Sequence, residues 1–192
     1  MLTMSKGPTG TTAVTHAMIA SRVGNLTVVA RGGIVVGLYF PRHWYRPDRA
    51  SFGPYSDSGF DAVRDQIGQY LAGDRQDFTL PVATRGDEYQ ERVWALVGQI
   101  PYGETATYGD LARQLGDGTS PQEVGTAVGR NPVCLVVPCH RVVGAGGKLT
   151  GYAGGLARKR FLLDLEAEVS GRPAGCSDMA PHACAGSGVY LA

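Results

Sequence analysis

The chain has 192 residues, 43% of them hydrophobic, and a formal net charge of +1, enough for one large domain or two small ones with real cores. No apolar run is long enough to span a bilayer, and the polar, Gly/Thr-rich first residues lack the apolar core of a secretory signal. A cytoplasmic chain is therefore expected, with Cys134, Cys139, Cys176 and Cys184 as free thiols.

Residues 1–11 read as disordered. Segments 12–21, 25–30 and 34–40 are rich in Val, Thr and Ile and are separated by Val-Gly-Asn and Arg-Gly-Gly turns, which predicts a meander of antiparallel strands. Residues 41–55 carry three prolines and predict a loop. A helix is predicted over 58–72, with Phe60, Val63, Ile67, Tyr70 and Leu71 on one face and Gly73 at its end. Residues 74–85 connect this unit, 12–84, to a second one, 85–169, with the boundary near Thr84.

The second unit reads as mainly helical. Tyr89, Val93, Trp94, Val97 and Ile100 fall at helical spacing over 87–99, and Pro101-Tyr102-Gly103 breaks the pattern. Thr107 and Asp110 stand in capping-box positions for a short helix over 107–115. After the turn Gly116-Asp117-Gly118, Ser120, Pro121 and Glu123 have the cap, first-turn and box positions of another, ending near Val128. Two short helices about a Gly-rich turn are a helix-turn-helix candidate, although such pairs also serve as plain packing units. Asn131-Pro132, the apolar run 133–137, Pro138-Cys139-His140-Arg141 and a Gly-rich loop, 144–155, follow. The last helix is predicted over 156–169 with Leu162, Leu165 and Val169 on one face, and residues 170–192 read as a mobile tail.

Charge and chemistry concentrate late in the chain. Arg130, Arg141, Lys148, Arg158, Lys159 and Arg160 occur with no acidic residue among them, the pattern of a surface that meets an anion or of a solvated basic face. Cys139 follows an apolar run, where a thiol is usually inert. Its neighbours offer activation: His140 as a base, Glu166 to orient it, and Arg141 with the basic stretch to favour the thiolate. Adjacent residues diverge in a strand, so Cys139 and His140 need a turn or a water between them. Cys134, Cys139 and His140 fit no common zinc spacing, and Cys176, His182 and Cys184 signal a metal as weakly.

Val137-Pro138-Cys139-His140-Arg141-Val142-Val143-Gly144 resembles the active-site signature of the O6-alkylguanine-DNA alkyltransferases. The similarity extends through Tyr89-Gln90, Val93-Trp94, Ile100-Pro101-Tyr102-Gly103-Glu104-Thr105, Tyr108, Leu111-Ala112, Val124-Gly125 and Asn131-Pro132. It continues through Gly151-Tyr152, Gly154-Gly155-Leu156, Lys159 and Leu162-Leu163 to Glu166. It covers roughly residues 15–169 and is specific from Tyr89 onward.

The resemblance implies an α+β fold: an N-terminal ribonuclease-H-like antiparallel sheet with a helix, then a helical domain with a winged-helix-like helix-turn-helix. It implies single-turnover transfer of an alkyl group from O6-alkylguanine, and from O4-alkylthymine, in double-stranded DNA to Cys139. The helix-turn-helix would enter the minor groove, with the damaged base flipped out of the stack. His140 would accept the Cys139 proton through a bound water, with Glu166 holding His140. Tyr108 would assist flipping and protonate the leaving guanine, and Asn131 would brace the recognition helix against the active-site strand. Val142, Tyr152, Ala153 and Gly154 would line the base pocket, and Gln122, Gly125, Arg130 and Arg113 would meet DNA. No metal or organic cofactor is implied: some relatives hold zinc in the N-terminal domain, but this chain has no cysteine before Cys134. A monomer at the nucleoid is expected, with cooperative assembly on DNA left open.

Two adjacent positions depart from the family. Gln122 stands where an Arg usually enters the duplex behind the flipped base, and Glu123 where a small residue is usual. Two rival readings are a binding-only relative that recruits other repair factors and a Cys-His hydrolase. The first normally lacks the acceptor cysteine, and the second would turn over repeatedly.

Overall fold

The computed structural model describes residues 13–116 and 118–171; the expected disorder over 1–11, most of the tail, and Cys176, His182 and Cys184 lie outside the described residues. The β-branched first third forms a three-stranded antiparallel sheet in the order β1 (Val14–Ile19), β2 (Leu26–Arg31), β3 (Ile34–Tyr39). Gly32 and Gly33, at φ 56 and 81, supply the left-handed residues that the tight β2–β3 turn needs.

The far edge of β3 is capped by two later segments, so its backbone groups are not left as an open edge. Val35 N donates to Pro81 O at 2.8 Å and Ala83 N to Val35 O at 3.0 Å. Leu38 N donates to Pro132 O at 2.8 Å and Cys134 N to Leu38 O at 3.1 Å. The sheet is thereby hydrogen-bonded to the segment that leads into Cys139.

Helix α1 (Asp61–Ala72) starts later than residue 58, because Gly59 sits at φ 85, outside helical space; Gly73 ends the helix in the left-handed conformation. Val63, Ile67, Tyr70 and Leu71 are its buried face.

In the second unit, α2 (Glu88–Val97), α3 (Tyr108–Leu115) and α4 (Pro121–Gly129) each begin at a reciprocal capping box, built on Asp87/Gln90, Thr107/Asp110 and Ser120/Glu123. Trp94 Nε1 donates to Ala127 O at 2.8 Å and pins α2 to α4. Strands β4 (Ala106–Thr107) and β5 (Val142–Val143) pair in parallel, and among the described residues no hairpin forms a wing beside the helix pair.

Helix α5 (Leu156–Val169) buries a face other than the predicted one. Lys159, Leu162, Leu163 and Glu166 point inward, whereas Leu165 and Val169 are only half-buried. Apolar periodicity misled because two charged residues occupy the inner face. No helix among the described residues is long and apolar enough to cross a membrane.

The box at Thr107 fixes where α3 starts and hence where Tyr108 sits. Losing such a cap typically destabilises by about 1 kcal/mol. Thr107→Ala is expected to lose about that much in urea unfolding and Thr107→Ser only a fraction of it. Equal midpoints for Thr107→Ala and wild type would exclude this role.

Candidate active site

The apolar run before Cys139 is not a strand. Residues 133–137 fold into a tight turn closed by Val137 N on Val133 O at 3.0 Å, with Leu135 in the left-handed region at φ 71. Asn131 makes the turn affordable from inside: its Nδ2 donates to Val137 O at 2.8 Å and its Oδ1 accepts from Val133 N at 3.0 Å. A side-chain amide thus takes backbone groups that a ladder partner would otherwise satisfy. Asn131, buried just after α4, braces this turn rather than a strand.

Pro138 then leads into a single 3-10 turn, Cys139–Arg141, which supplies the bend that adjacent Cys139 and His140 require. The two side chains enter different networks. His140 Nε2 lies 2.7 Å from Glu166 Oε1. Arg141 Nε reaches both oxygens of the same carboxylate at 3.1 and 3.0 Å, and its Nη1 donates to Ile100 O at 2.7 Å. Gly103 N donates to Glu166 Oε2 at 2.8 Å, and the Tyr70 hydroxyl makes a short hydrogen bond to Oε1. Glu166 is therefore no surface charge but a fully buried one.

His140 and Arg141 hold the Glu166 carboxyl down at about 2 despite its burial. Burial in turn lowers the His140 pKa, against the pull of Glu166, so the imidazole is neutral near pH 7. An ionised Glu166 can only accept, so Nε2 carries the ring proton, and the buried Nδ1, without a hydrogen-bond partner, keeps its lone pair.

Cys139 is 3% exposed and faces another sulfur, Cys134 Sγ, at 3.8 Å. Its pKa lies below the ordinary thiol value. A hydrogen bond from Cys134 is the largest cause, opposed by burial and assisted by Asn131 and by the charge of Lys159. The expected contribution of Arg141 is absent from this balance, because Arg141 is turned to Glu166. Lys159 is buried, with Nζ on the carbonyls of Val142 (2.6 Å), Thr150 (2.9 Å) and Gly151 (3.4 Å). Burial brings its pKa down to about 8.

Of the predicted pocket residues, Tyr152 faces this sulfur. Val142, Tyr152, Ala153 and Gly154 are buried, and the Tyr152 ring packs 5.6 Å from that of Phe40. A Cβ on Gly154 would meet Phe40 at 2.7 Å and Tyr152 at 2.9 Å, so only glycine fits. Tyr108 opens α3 with its hydroxyl 3.5 Å from Gly151 O, and Gly125 of α4 leaves ordinary contact distance to its ring. Burial raises the Tyr108 pKa, which keeps the phenol protonated.

The predicted DNA contacts are scattered more widely. Gln122 is exposed at the second position of α4. Arg113 is exposed but ion-paired with Asp110. Arg130 is exposed at the other end of α4, over the Tyr45 ring. Glu123 turns back onto Ser120, accepting from N at 2.8 Å and Oγ at 2.7 Å. The basic stretch is not one surface: Arg141 and Lys159 are buried, and Arg158 is bound to Val23 O and Gly154 O. Among the described residues no group of three or more His, Cys, Asp or Glu is placed to hold a metal ion.

Sequence reading missed Tyr70, which it assigned to plain core; it counted Lys159 only within the basic stretch and the resemblance, and weighed Cys134 only as a metal ligand. Lys159 left a signal, a lysine at an inward position of α5; Tyr70 left none, being one apolar-face residue among five.

Residues 88–168 match the family model described as 6-O-methylguanine DNA methyltransferase, DNA binding domain. The chain is 42% identical over 151 residues to a methylated-DNA--protein-cysteine methyltransferase of Mycobacterium tuberculosis, a match that spans 79% of this chain and 91% of the relative. It is 48% identical over 114 residues to the inducible methylated-DNA--protein-cysteine methyltransferase of Bacillus subtilis, covering 59% of this chain and 64% of that one. It is also similar to the crystal structure of Mycobacterium tuberculosis OGT in complex with DNA, with a TM-score of 0.76 at 41% identity, covering 86% of this chain and 99% of that one.

The depressed Glu166 pKa links stability to pH. Its folded value, about 2, lies below the ordinary 4.5, so its contribution is complete above about pH 4.5 and lost as pH falls toward 2. Glu166→Gln leaves Arg141 buried without a counter-charge, and breaking a buried pair in this way typically costs about 3–5 kcal/mol. Urea unfolding between pH 7 and 2 is expected to show wild type converging on Glu166→Gln as pH falls. A constant gap would exclude the linkage.

Proposed function

Because the chain belongs to the O6-methylguanine-DNA methyltransferase family, we propose that it repairs alkylated double-stranded DNA by moving the alkyl group from O6 of guanine, and from O4 of thymine, to Sγ of its own Cys139. The observation that carries this reading is the nearly buried Cys139, its sulfur favoured as thiolate, one residue from a neutral His140 held by a buried carboxylate.

The proton of Cys139 passes through a bound water to His140 Nδ1. The thiolate attacks the alkyl carbon, a new S–C bond forms, and the C–O6 electron pair returns to the base. Tyr108, which burial keeps protonated, donates to the leaving guanine and is reprotonated at the expense of His140. In sum the thiol proton replaces the alkyl group on guanine. The product is a thioether, whose sulfur is a poor leaving group, so each molecule acts once.

Residues 85–169 form the transferring unit in this reading, with α3 and α4 presenting Gln122 and Gly125 to the minor groove. Residues 12–84 complete it from behind through Tyr70 and Phe40. Val142, Tyr152, Ala153 and Gly154 receive the flipped base. The work is done in the cytoplasm, at the nucleoid.

Incubation with a duplex containing O6-methylguanine is expected to add one methyl group per protein, located on Cys139 by intact and peptide mass, and then stop. Cys139→Ser is expected to bind the duplex without transfer. Product in excess of protein, or a methyl group on Cys134, would overturn the assignment.

Gln122 should limit base extrusion, which costs a few kcal/mol in a duplex and less in a single strand. Gln122→Arg adds the missing charge and planar group. Single-turnover transfer is expected to be faster than wild type on duplex, less so on single strands, and equal on the free alkylated base. Equal duplex rates would show that Gln122 does not limit the reaction.

A further inference from the structure

Cys139 and Cys134 sit five positions apart with sulfurs 3.8 Å from each other, at opposite ends of the turn braced by Asn131. Two thiols this close do not both ionise: the first negative charge opposes the second, and the remaining proton is shared as a hydrogen bond. With both thiols protonated, the Cys139 S–H donates to Cys134 Sγ and the Cys134 S–H to Asn131 O; once one proton is lost, the surroundings decide which sulfur carries the charge.

Around Cys139 they favour the anion. Lys159 of α5 brings a positive charge and Asn131 an amide donor, while Tyr108 and Tyr152 face it as neutral phenols. Around Cys134 they favour the thiol. It is 0% exposed, with Asn131 O, an acceptor for its S–H, at 3.9 Å. The ring of His43, from the segment after β3, lies with Nδ1 at 3.9 Å from the Cys134 sulfur. Burial drops the His43 pKa to about 4, so that ring brings no positive charge. Tyr39 and Tyr152, the other titratable groups facing Cys134, are phenols held neutral by burial. The backbone carbonyl of Asn131 thus accepts from the sulfur that keeps its proton.

We propose that Cys134 is a positioning residue for the acceptor: when Cys139 has lost its proton, the Cys134 S–H turns from Asn131 O to Cys139 Sγ, 3.8 Å away, and keeps the negative charge on Cys139 rather than on itself. This deepens the transfer reading above and rests on it. It gives a physical reason why the alkyl group goes to one sulfur of a touching pair. A thiol is a far weaker nucleophile than a thiolate, so the partner that keeps the proton is not alkylated. Cys134 forms no bond to the alkyl group and transfers no proton to the base.

The test is the pH dependence of iodoacetamide labelling of Cys139, located by peptide mass mapping, in wild type, Cys134→Ala and Cys134→Ser. Without a donor, Cys134→Ala is expected to raise the apparent midpoint by about one pH unit and slow labelling at pH 7 by about tenfold, with the high-pH rate unchanged. Cys134→Ser keeps a donor and is expected to stay within about threefold of wild type at pH 7. Cys134→Val and Cys134→Thr repeat the comparison with side-chain volume held fixed, Val behaving as Ala and Thr as Ser. Coincident midpoints for wild type and Cys134→Ala, equal behaviour of Val and Thr, or labelling of Cys134 ahead of Cys139 in wild type would each overturn the proposal. The labelling needs no DNA. A chain that labels as expected yet takes no methyl group from a methylated duplex would refute the transfer reading and leave the sulfur pair standing.

Discussion

An ionised carboxylate removed from water destabilises a fold by several kcal/mol unless charges and donors replace its hydration. Glu166 is such a group, and the donors that meet it come from three parts of the chain: Tyr70 of α1, Gly103 of the turn after α2, and His140 and Arg141 of the turn that holds Cys139. Each donor is fixed because the carboxylate cannot go unpaired, and the carboxylate is fixed because α5 packs through Leu162 and Leu163. The orientation of His140 follows from this arrangement. So does the path of the backbone at Cys139, since Arg141 is held on both Glu166 and Ile100 O.

That arrangement also marks the limit of what could be read from the residues alone. The starts of α3 and α4 were legible, because a capping box is local chemistry at fixed spacing. The three strands were legible for the same kind of reason, β-branched runs set off by glycine turns. The buried face of α5 was not, because periodicity assumes that inward means apolar, and here Lys159 and Glu166 point inward. The turn at 133–137 was legible only as an apolar run, because Val, Leu and Cys in a row carry no sign of a side-chain amide folding beneath them. Tyr70 was legible as core and illegible as a donor, since its partner lies 96 residues away.

Charge tells the same story for the surface. Counted along the chain, residues 130–160 are uniformly basic. In space, Arg141 neutralises Glu166, Lys159 holds the loop carbonyls of Val142, Thr150 and Gly151 beside the acceptor, and Arg158 ties α5 to Val23. Only Arg130, Lys148 and Arg160 are exposed. Glu123, which looked like a negative charge aimed at phosphates, is engaged in starting α4. The positive charge at this surface is carried by a few side chains, and sequence charge overstates it.

The adjacency of Cys139 and His140 raised a geometric difficulty for a strand, and the 3-10 turn converts it into a division of labour. Side chains that follow one another around a tight turn point to different neighbours, so one turn serves two networks. On one side Cys139 meets a second sulfur and the field of Lys159, with no full ion pair to bury. On the other, His140 meets Glu166, Tyr70 and the charge of Arg141. A direct Cys-His ion pair would trap the thiolate in a contact that an incoming alkyl carbon must displace. Keeping the imidazole neutral and turned to the carboxylate leaves the sulfur free of that contact, while the ring keeps an unpartnered nitrogen able to take a proton.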